Sequence, residues 1–290
     1  MWKNDLGILF IALYVDDCLC IGDKYEIVIL EKEFVNSGFQ VKPPGELNKY
    51  LSCNINKNKE EGSENLHQGH LIKNIINIYG EQVKCLTTYK IPGTPSVGLV
   101  RPTEKNEMVS KEDHEQYRTG VDILMYLIKH MQRDIANVVM ELTRLNYAPT
   151  GNSMKEMKRL IKYVIDTGNK ELEITPQKNK NITNIVAYSD SDFAGNTYYR
   201  ISVSGFSIHL NNAPIIWRYK EYRSATLSSS EAEYVVLSEA SKKVKFIWTL
   251  LKSTCLEVKL QITVIVDNAG AIFMSEKVTT SSRTKYMDTR

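Results

Sequence analysis

Short apolar runs broken by turn residues fill the first hundred positions. Ile8 to Tyr14 and Cys18 to Ile21 read as two strands, with Asp16 and Asp17 where a hairpin would turn. The wider run from Leu6 to Val15 lies behind Lys3 like a signal-peptide core. It is too short to span a bilayer, and two aspartates follow where small cleavage-site residues are required, so it is read as a buried strand. Glu26 to Val35 has helical spacing, and Gly38 is placed to stop it. Lys57 to Asn65 reads as a polar loop, and the three prolines within Ile91 to Pro102 read as a linker. From Glu115 to Thr167 the period is helical. Ile135, Val138, Val139, Leu142 and Leu145 share one face; Met157, Leu160, Ile161, Val164 and Ile165 form a second stripe, opened by a Ser153/Glu156 capping box and closed by Gly168.

Pro176 to Asn184 is polar and forms the main boundary. Beyond it the order changes. Ile185 to Tyr188, Ile201 to Leu210 and Pro214 to Tyr219 read as strands. A long helix from about Ser229 to Leu251, a strand Ile262 to Val266 and a short helix from Ala269 follow. That β-β-β-α-β-α order predicts an α/β layer domain. There is no internal repeat.

Composition narrows the function classes. The 290 residues are 42% hydrophobic and 24% charged, which excludes a disordered chain, a collagen-like repeat and a disulfide-framed scaffold. Thirty-seven basic against thirty-four acidic residues give +3, a balance that permits nucleic-acid binding without demanding it. Five scattered cysteines point to a reducing compartment, so an intracellular location in cytoplasm or nucleus is expected rather than secretion, and no stretch reaches membrane length. Cys18 and Cys20 fall on one side of a strand and read as buried thiols. His67 and His70 have no third ligand nearby in sequence.

The chemistry is concentrated in acidic residues of the last domain. Asp190 follows its first strand, Glu231 and Glu233 open the long helix, Asp267 ends the strand Ile262 to Val266, and Asp288 lies in the polar tail. Carboxylates at the ends of neighbouring strands, faced by a helical glutamate, can converge on one point. They would repel one another there unless hard cations, Mg²⁺ or Mn²⁺, neutralise them. Two such ions about 3.5–4 Å apart serve phosphodiester cleavage. Against this, Glu231 with Ser228 and Glu233 with Ser230 each complete a capping box, and an aspartate at a strand end is ordinary turn chemistry. Trp217, Arg218, Tyr219, Lys220, Tyr222 and Arg223 interleave aromatic and basic side chains, which suits a nucleic-acid backbone or an ordinary exposed strand.

The local blocks AYSDSDFAG (187–195), SVSGF (202–206), ATLSSSEAEYVVLSEA (225–240), VDNAGAI (266–272) and SSRTKYMD (281–288) resemble the ribonuclease H domain of copia-type LTR retrotransposon Pol polyproteins. The resemblance implies that Asp190, Glu233, Asp267 and Asp288 are catalytic, metal-binding carboxylates for two Mg²⁺ or Mn²⁺ ions. It favours Glu233 over Glu231, because Tyr234 and Val236 fit the family's helix pattern better. LYVDDCLCIG (13–22) resembles the hairpin of a reverse transcriptase palm, with Asp16 and Asp17 as metal-binding carboxylates. GELNKYLSCNI (45–55), LHQGHLIKNI (66–75) and YRTGVDILMYLIKHMQRDIAN (117–137) follow in the family's order.

The fold expected from this resemblance is α/β and α+β. Residues 1–100 would be the palm end and thumb of a truncated reverse transcriptase, 101–182 a helical connection, and 183–290 a ribonuclease H-like mixed-sheet domain truncated at its C-terminus. The expected activity is two-metal hydrolysis of the RNA strand of RNA–DNA hybrids. The expected partners are such a hybrid and the rest of a Pol polyprotein, with Arg218, Lys220 and Arg223 as weak nucleic-acid contacts and no membrane. The chain begins about thirteen residues before YVDD, so a third polymerase carboxylate and the fingers are missing and Asp16 and Asp17 are expected to be a stranded half-site without DNA synthesis. Tyr286 stands where the family has histidine, the chain stops two residues after Asp288, and Ser52 replaces a usual glycine. These departures leave a catalytically dead element remnant, with at most weak nucleic-acid binding, as the competing expectation.

Overall fold

The computed structural model describes residues 2–4, 7–42, 45–58, 60–94, 99–100, 102, 108–175, 183–193, 202–222, 228–254, 256–259 and 261–276. Three sheets and a helical layer are built from them in chain order. The first sheet is an antiparallel ribbon of β1 (Trp2–Asn4), β2 (Gly7–Tyr14) and β3 (Asp17–Gly22). Tyr14 pairs with Asp17, so Val15 and Asp16 form a two-residue turn, with Val15 at φ 52. A β-branched residue in the left-handed region is strained. Leu9 is fully buried, but Leu13, Tyr14 and Val15 are exposed, so the expected buried strand is covered only in part. Cys18 is exposed and Cys20 half-buried, their sulfurs 3.6 Å apart, which corrects the expectation of two buried thiols. Helix α1 (Lys24–Asn36) starts where Asp23 accepts the Tyr25 N–H, and the chain leaves it through Gly38 at φ +87.

The second sheet orders β4 (Lys49–Tyr50), β5 (Cys53–Asn58), β6 (Ser63–His67) and β7 (Leu172–Ile174), all antiparallel. The expected polar loop 57–65 is a hairpin in which Asn58 faces Ser63. Its polar composition hid two strand ends. Strand β7, which follows the helices in sequence, returns to close this sheet through Leu66 and Leu172.

The helical layer comprises α2 (Gly69–Val83), α3 (Lys111–His130), a 3-10 turn at Arg133–Ile135, α4 (Ala136–Thr143) and α5 (Gly151–Asp166). Both predicted stripes face inward: Ile135, Val139, Leu142 and Leu145 meet Met157, Leu160, Ile161 and Val164, and all are fully or almost fully buried. Each such side chain contributes about 1.5–3 kcal/mol of apolar burial. Gly120 lets α3 approach α2 and α5: a Cβ there would lie 2.7 Å from Met157 Sδ and 3.0 Å from the Tyr79 hydroxyl. Helix α5 is capped by Thr150 and Ser153 reciprocally rather than by the Ser153/Glu156 pair. Glu156 instead accepts the Thr94 hydroxyl at 2.7 Å.

The last layer contains β8 (Ile185–Asp192), β9 (Ser202–Leu210), β10 (Ala213–Tyr222), α6 (Ser229–Ser253), β11 (Thr263–Ile265) and α7 (Ala269–Glu276). The sheet order is β10-β9-β8-β11, antiparallel except for the parallel pair β8–β11. Asn211 and Asn212, at φ 50 and 72, turn β9 into β10, a conformation asparagine tolerates well. Ile185, Ala187, Phe206 and Ile208 pack under Val236, Ala240, Val244 and Ile247 of α6. The whole is a mixed α/β architecture. Among the described residues no helix is long and apolar enough to cross a membrane.

Candidate metal centre

Strand alternation separates the two faces of the last sheet. Ile185 and Ala187 point into the core under α6, so by strand alternation Tyr188 and Asp190 point toward the other side. Asp190 sits opposite Gly205 of β9. Because β11 runs parallel to β8, with Ile265 paired to Tyr188, the next outward positions, Asp190 and Asp267, lie at the same carboxyl-terminal edge. Helix α6 supplies the third group. Its N-cap is Ser228, whose hydroxyl accepts the Glu231 N–H, so Glu231 fills the capping position and Glu233 does not. Glu233 is buried and one of its oxygens accepts the Ser191 N–H at 2.9 Å.

Oxygens of Asp190, Glu233 and Asp267 lie within 4.8 Å of one another. Asp190 and Asp267 are exposed and Glu233 is buried. Burial pushes the Glu233 carboxyl above its usual range; the Ser191 N–H opposes this, and the charges of Asp190 and Asp267 add to it. Its second oxygen, Oε2, is buried without a hydrogen-bond partner. A buried acceptor left in that state is costly unless a cation or water meets it. Three hard oxygen donors, one of them lacking a partner, fit a divalent ion such as Mg²⁺ or Mn²⁺.

The remaining sequence candidates fall elsewhere. Asp288 and Arg223 lie outside the described residues. Asp16 and Asp17 are exposed on the β2–β3 hairpin, and no third carboxylate joins them among the described residues. Arg218 and Lys220 occupy the face of β10 opposite to Trp217 and Tyr219, and Arg218 pairs with Glu239 of α6 at 3.4 Å. The Trp217 and Tyr219 side chains contact the helical layer instead: the Trp217 ring N–H donates to the Ile128 carbonyl at 2.8 Å, and the Tyr219 hydroxyl to Asn137 at 2.7 Å. His67 accepts the Gly69 N–H at 3.4 Å and belongs to no ligand cluster among the described residues.

Sequence reading missed a second polar cluster at this junction. Arg144 binds both oxygens of Glu141, at 2.9 and 2.8 Å, and Glu221 of β10 at 2.8 Å, with all three side chains mostly buried. The i, i+3 spacing of Glu141 and Arg144 was visible, but nothing in the sequence points to Glu221.

No family model matches the chain. Among curated proteins, it is 26% identical over 281 residues to the retrovirus-related Pol polyprotein from transposon RE1 of Arabidopsis thaliana, a match covering 97% of this chain and 18% of that protein. It is 24% identical over 292 residues to the corresponding polyprotein from transposon TNT 1-94 of Nicotiana tabacum, covering 99% of this chain and 21% of that protein. An uncharacterised mitochondrial protein of Arabidopsis thaliana is 30% identical over 233 residues, 79% of this chain and 90% of its own length. The chain thus spans about a fifth of the length of the Pol polyproteins it matches. With similarity running along almost its entire length, the chain belongs to the Pol polyproteins of copia-type retrotransposons and corresponds to a segment of them.

Proposed function

We propose that the segment from residue 183 onward is a ribonuclease H module that hydrolyses the RNA strand of RNA–DNA hybrids. Residues 1–100 and 101–182 would be the palm–thumb and connection parts that carry it. The observation that carries this reading is the meeting of Asp190, Glu233 and Asp267 at the end of the parallel pair β8–β11. Separate apolar cores for the helical layer and for the last sheet support the boundary near 183.

Asp190 and Asp267, open to solvent, would hold the ions where a phosphodiester can approach, with Asp288 completing the set. Glu233, fixed by the Ser191 N–H, would turn its second oxygen toward one ion and orient the attacking water. Two bound Mg²⁺ or Mn²⁺ ions would supply the activated water and stabilise the leaving oxygen. Every other contribution belongs to the chain: the parallel register sets the spacing of the two aspartates, and α6 presents the buried glutamate.

The test is the full chain with Mg²⁺ or Mn²⁺ and an RNA–DNA duplex labelled on each strand in turn. Cleavage confined to the RNA strand, and lost in Asp190→Asn and Asp267→Asn, is expected. Absence of cleavage with both metals, or cleavage indifferent to both substitutions, refutes the proposal.

A further inference from the structure

An open cavity of about 470 Å³ adjoins the acidic cluster and is walled by two parts of the chain. One wall is the outer face of the last sheet, including Asp190, Asp267, Trp217 and Tyr219; the other is the 3-10 turn and the start of α4, including Arg133 and Asn137. Gly205 floors the cavity between Asp190 and Tyr219, and even a Cβ there would approach only the Arg218 carbonyl, at 3.8 Å. The volume lies in the range of small-ligand sites and accepts a nucleotide-sized group.

The charges lining this space are not balanced. Asp190 and Asp267 face any entering anion. Asp134 is engaged by the Tyr163 hydroxyl at 2.7 Å and by Lys170 at 3.2 Å. Arg218 is committed to Glu239. Arg133 is exposed, and among the described residues it makes no ion pair or hydrogen bond through its side chain. Its location is fixed rather than accidental, because Trp217 to Ile128, Tyr219 to Asn137 and Arg144 to Glu221 tie the sheet to the segments on both sides of it.

We infer that Arg133, supplied by the helical layer, binds a backbone phosphate of the nucleic-acid strand whose neighbouring phosphodiester lies at the acidic cluster. The inference rests on the nuclease reading above and makes that site a composite of two layers. A guanidinium presents a planar set of donors that matches a phosphate's oxygens, and among the described residues no carboxylate pairs with this one. A strand crossing from the acidic end to Arg133 would have one phosphate neutralised by cations and another by the side chain. Arg133 is therefore a positioning residue: it fixes where the strand lies and takes no part in bond breaking.

The experiment measures binding of a labelled RNA–DNA hybrid to the full chain in EDTA, by fluorescence anisotropy across a salt series. Arg133→Gln is expected to weaken binding about tenfold near 0.1 M salt and to lower the slope of log K against log salt by about one. Arg133→Lys should keep the slope, and Lys73→Gln, an exposed cation on α2, should change neither quantity. In Mg²⁺, Arg133→Gln should raise KM with kcat within about twofold of the parent. An unchanged affinity and slope in Arg133→Gln overturns the inference. If the parent chain cleaves no hybrid but the slope still drops, the nuclease reading fails while the phosphate contact stands.

Discussion

Replacing Glu233 with glutamine separates a metal ligand from a structural carboxylate, because the two roles move stability in opposite directions with and without cation. In the metal-free protein, Glu233 lies within 4.8 Å of two other carboxylates. Unit charges at that distance repel by about 3–4 kcal/mol at an effective dielectric of about 20. Solvent reaching the exposed Asp190 and Asp267 reduces this to about 1 kcal/mol per pair. Glutamine keeps an acceptor for the Ser191 N–H and loses only its charge assistance, about 1 kcal/mol. The net expectation is a gain of about 1 kcal/mol, a rise in Tm of roughly 2–4 °C in EDTA. Saturating Mg²⁺ should reverse the order, since an ion at one hundred times its Kd stabilises only the parent chain, by about 2.7 kcal/mol. Scanning calorimetry on both proteins, in EDTA and in Mg²⁺, reads the crossing directly. Glu231→Gln, in the same helical turn, should show no such crossing. A fall of more than about 3 °C for Glu233→Gln in EDTA, or equal Mg²⁺ responses in the two proteins, would refute the reasoning.

Two further outcomes concern the junction between the layers. Arg144→Met leaves Glu141 and Glu221 buried without their shared guanidinium and should cost about 3 kcal/mol by urea denaturation, with Glu141→Gln recovering part of the loss in that background. Burial pushes the Glu141 carboxyl up against the pull of Arg144, with Glu221 adding to the push, so its contribution is present below the ordinary glutamate range and lost as pH rises through the raised value. Glu141→Gln should therefore gain stability relative to the parent as pH rises above the ordinary glutamate range; a relative loss on that rise would contradict the assignment.

Much of the last layer was legible in the chain, and the reasons are physical. The β-branched and alternating runs from 185 to 219 and from 262 to 266 marked the strands, because one face of each is buried. The helical glutamates could be counted but not told apart by capping chemistry, since serine precedes both at the right spacing. Only the helix start at Ser228 decides which one turns inward. The hairpin at 57–65 was hidden because both its strands end in polar side chains. The junction around Arg144 was illegible for another reason: Glu221 reaches it from a different layer, and no local pattern records such a meeting.

The parallel pairing of β8 with β11 also bears on when the acidic site can exist. Thr263 pairs with Val186, and β9, β10 and α6 all intervene in the chain. Closing so long a loop is slow and is rewarded only once both strands are seated. Carboxylate crowding is therefore expected late in folding, after the hairpins and α6 have formed. A nascent or half-folded chain would carry two aspartates and one glutamate dispersed, with no shared site for a cation. A divalent metal bound as proposed would then act as a late-arriving lock on a finished sheet, slowing its opening more than it hastens its assembly.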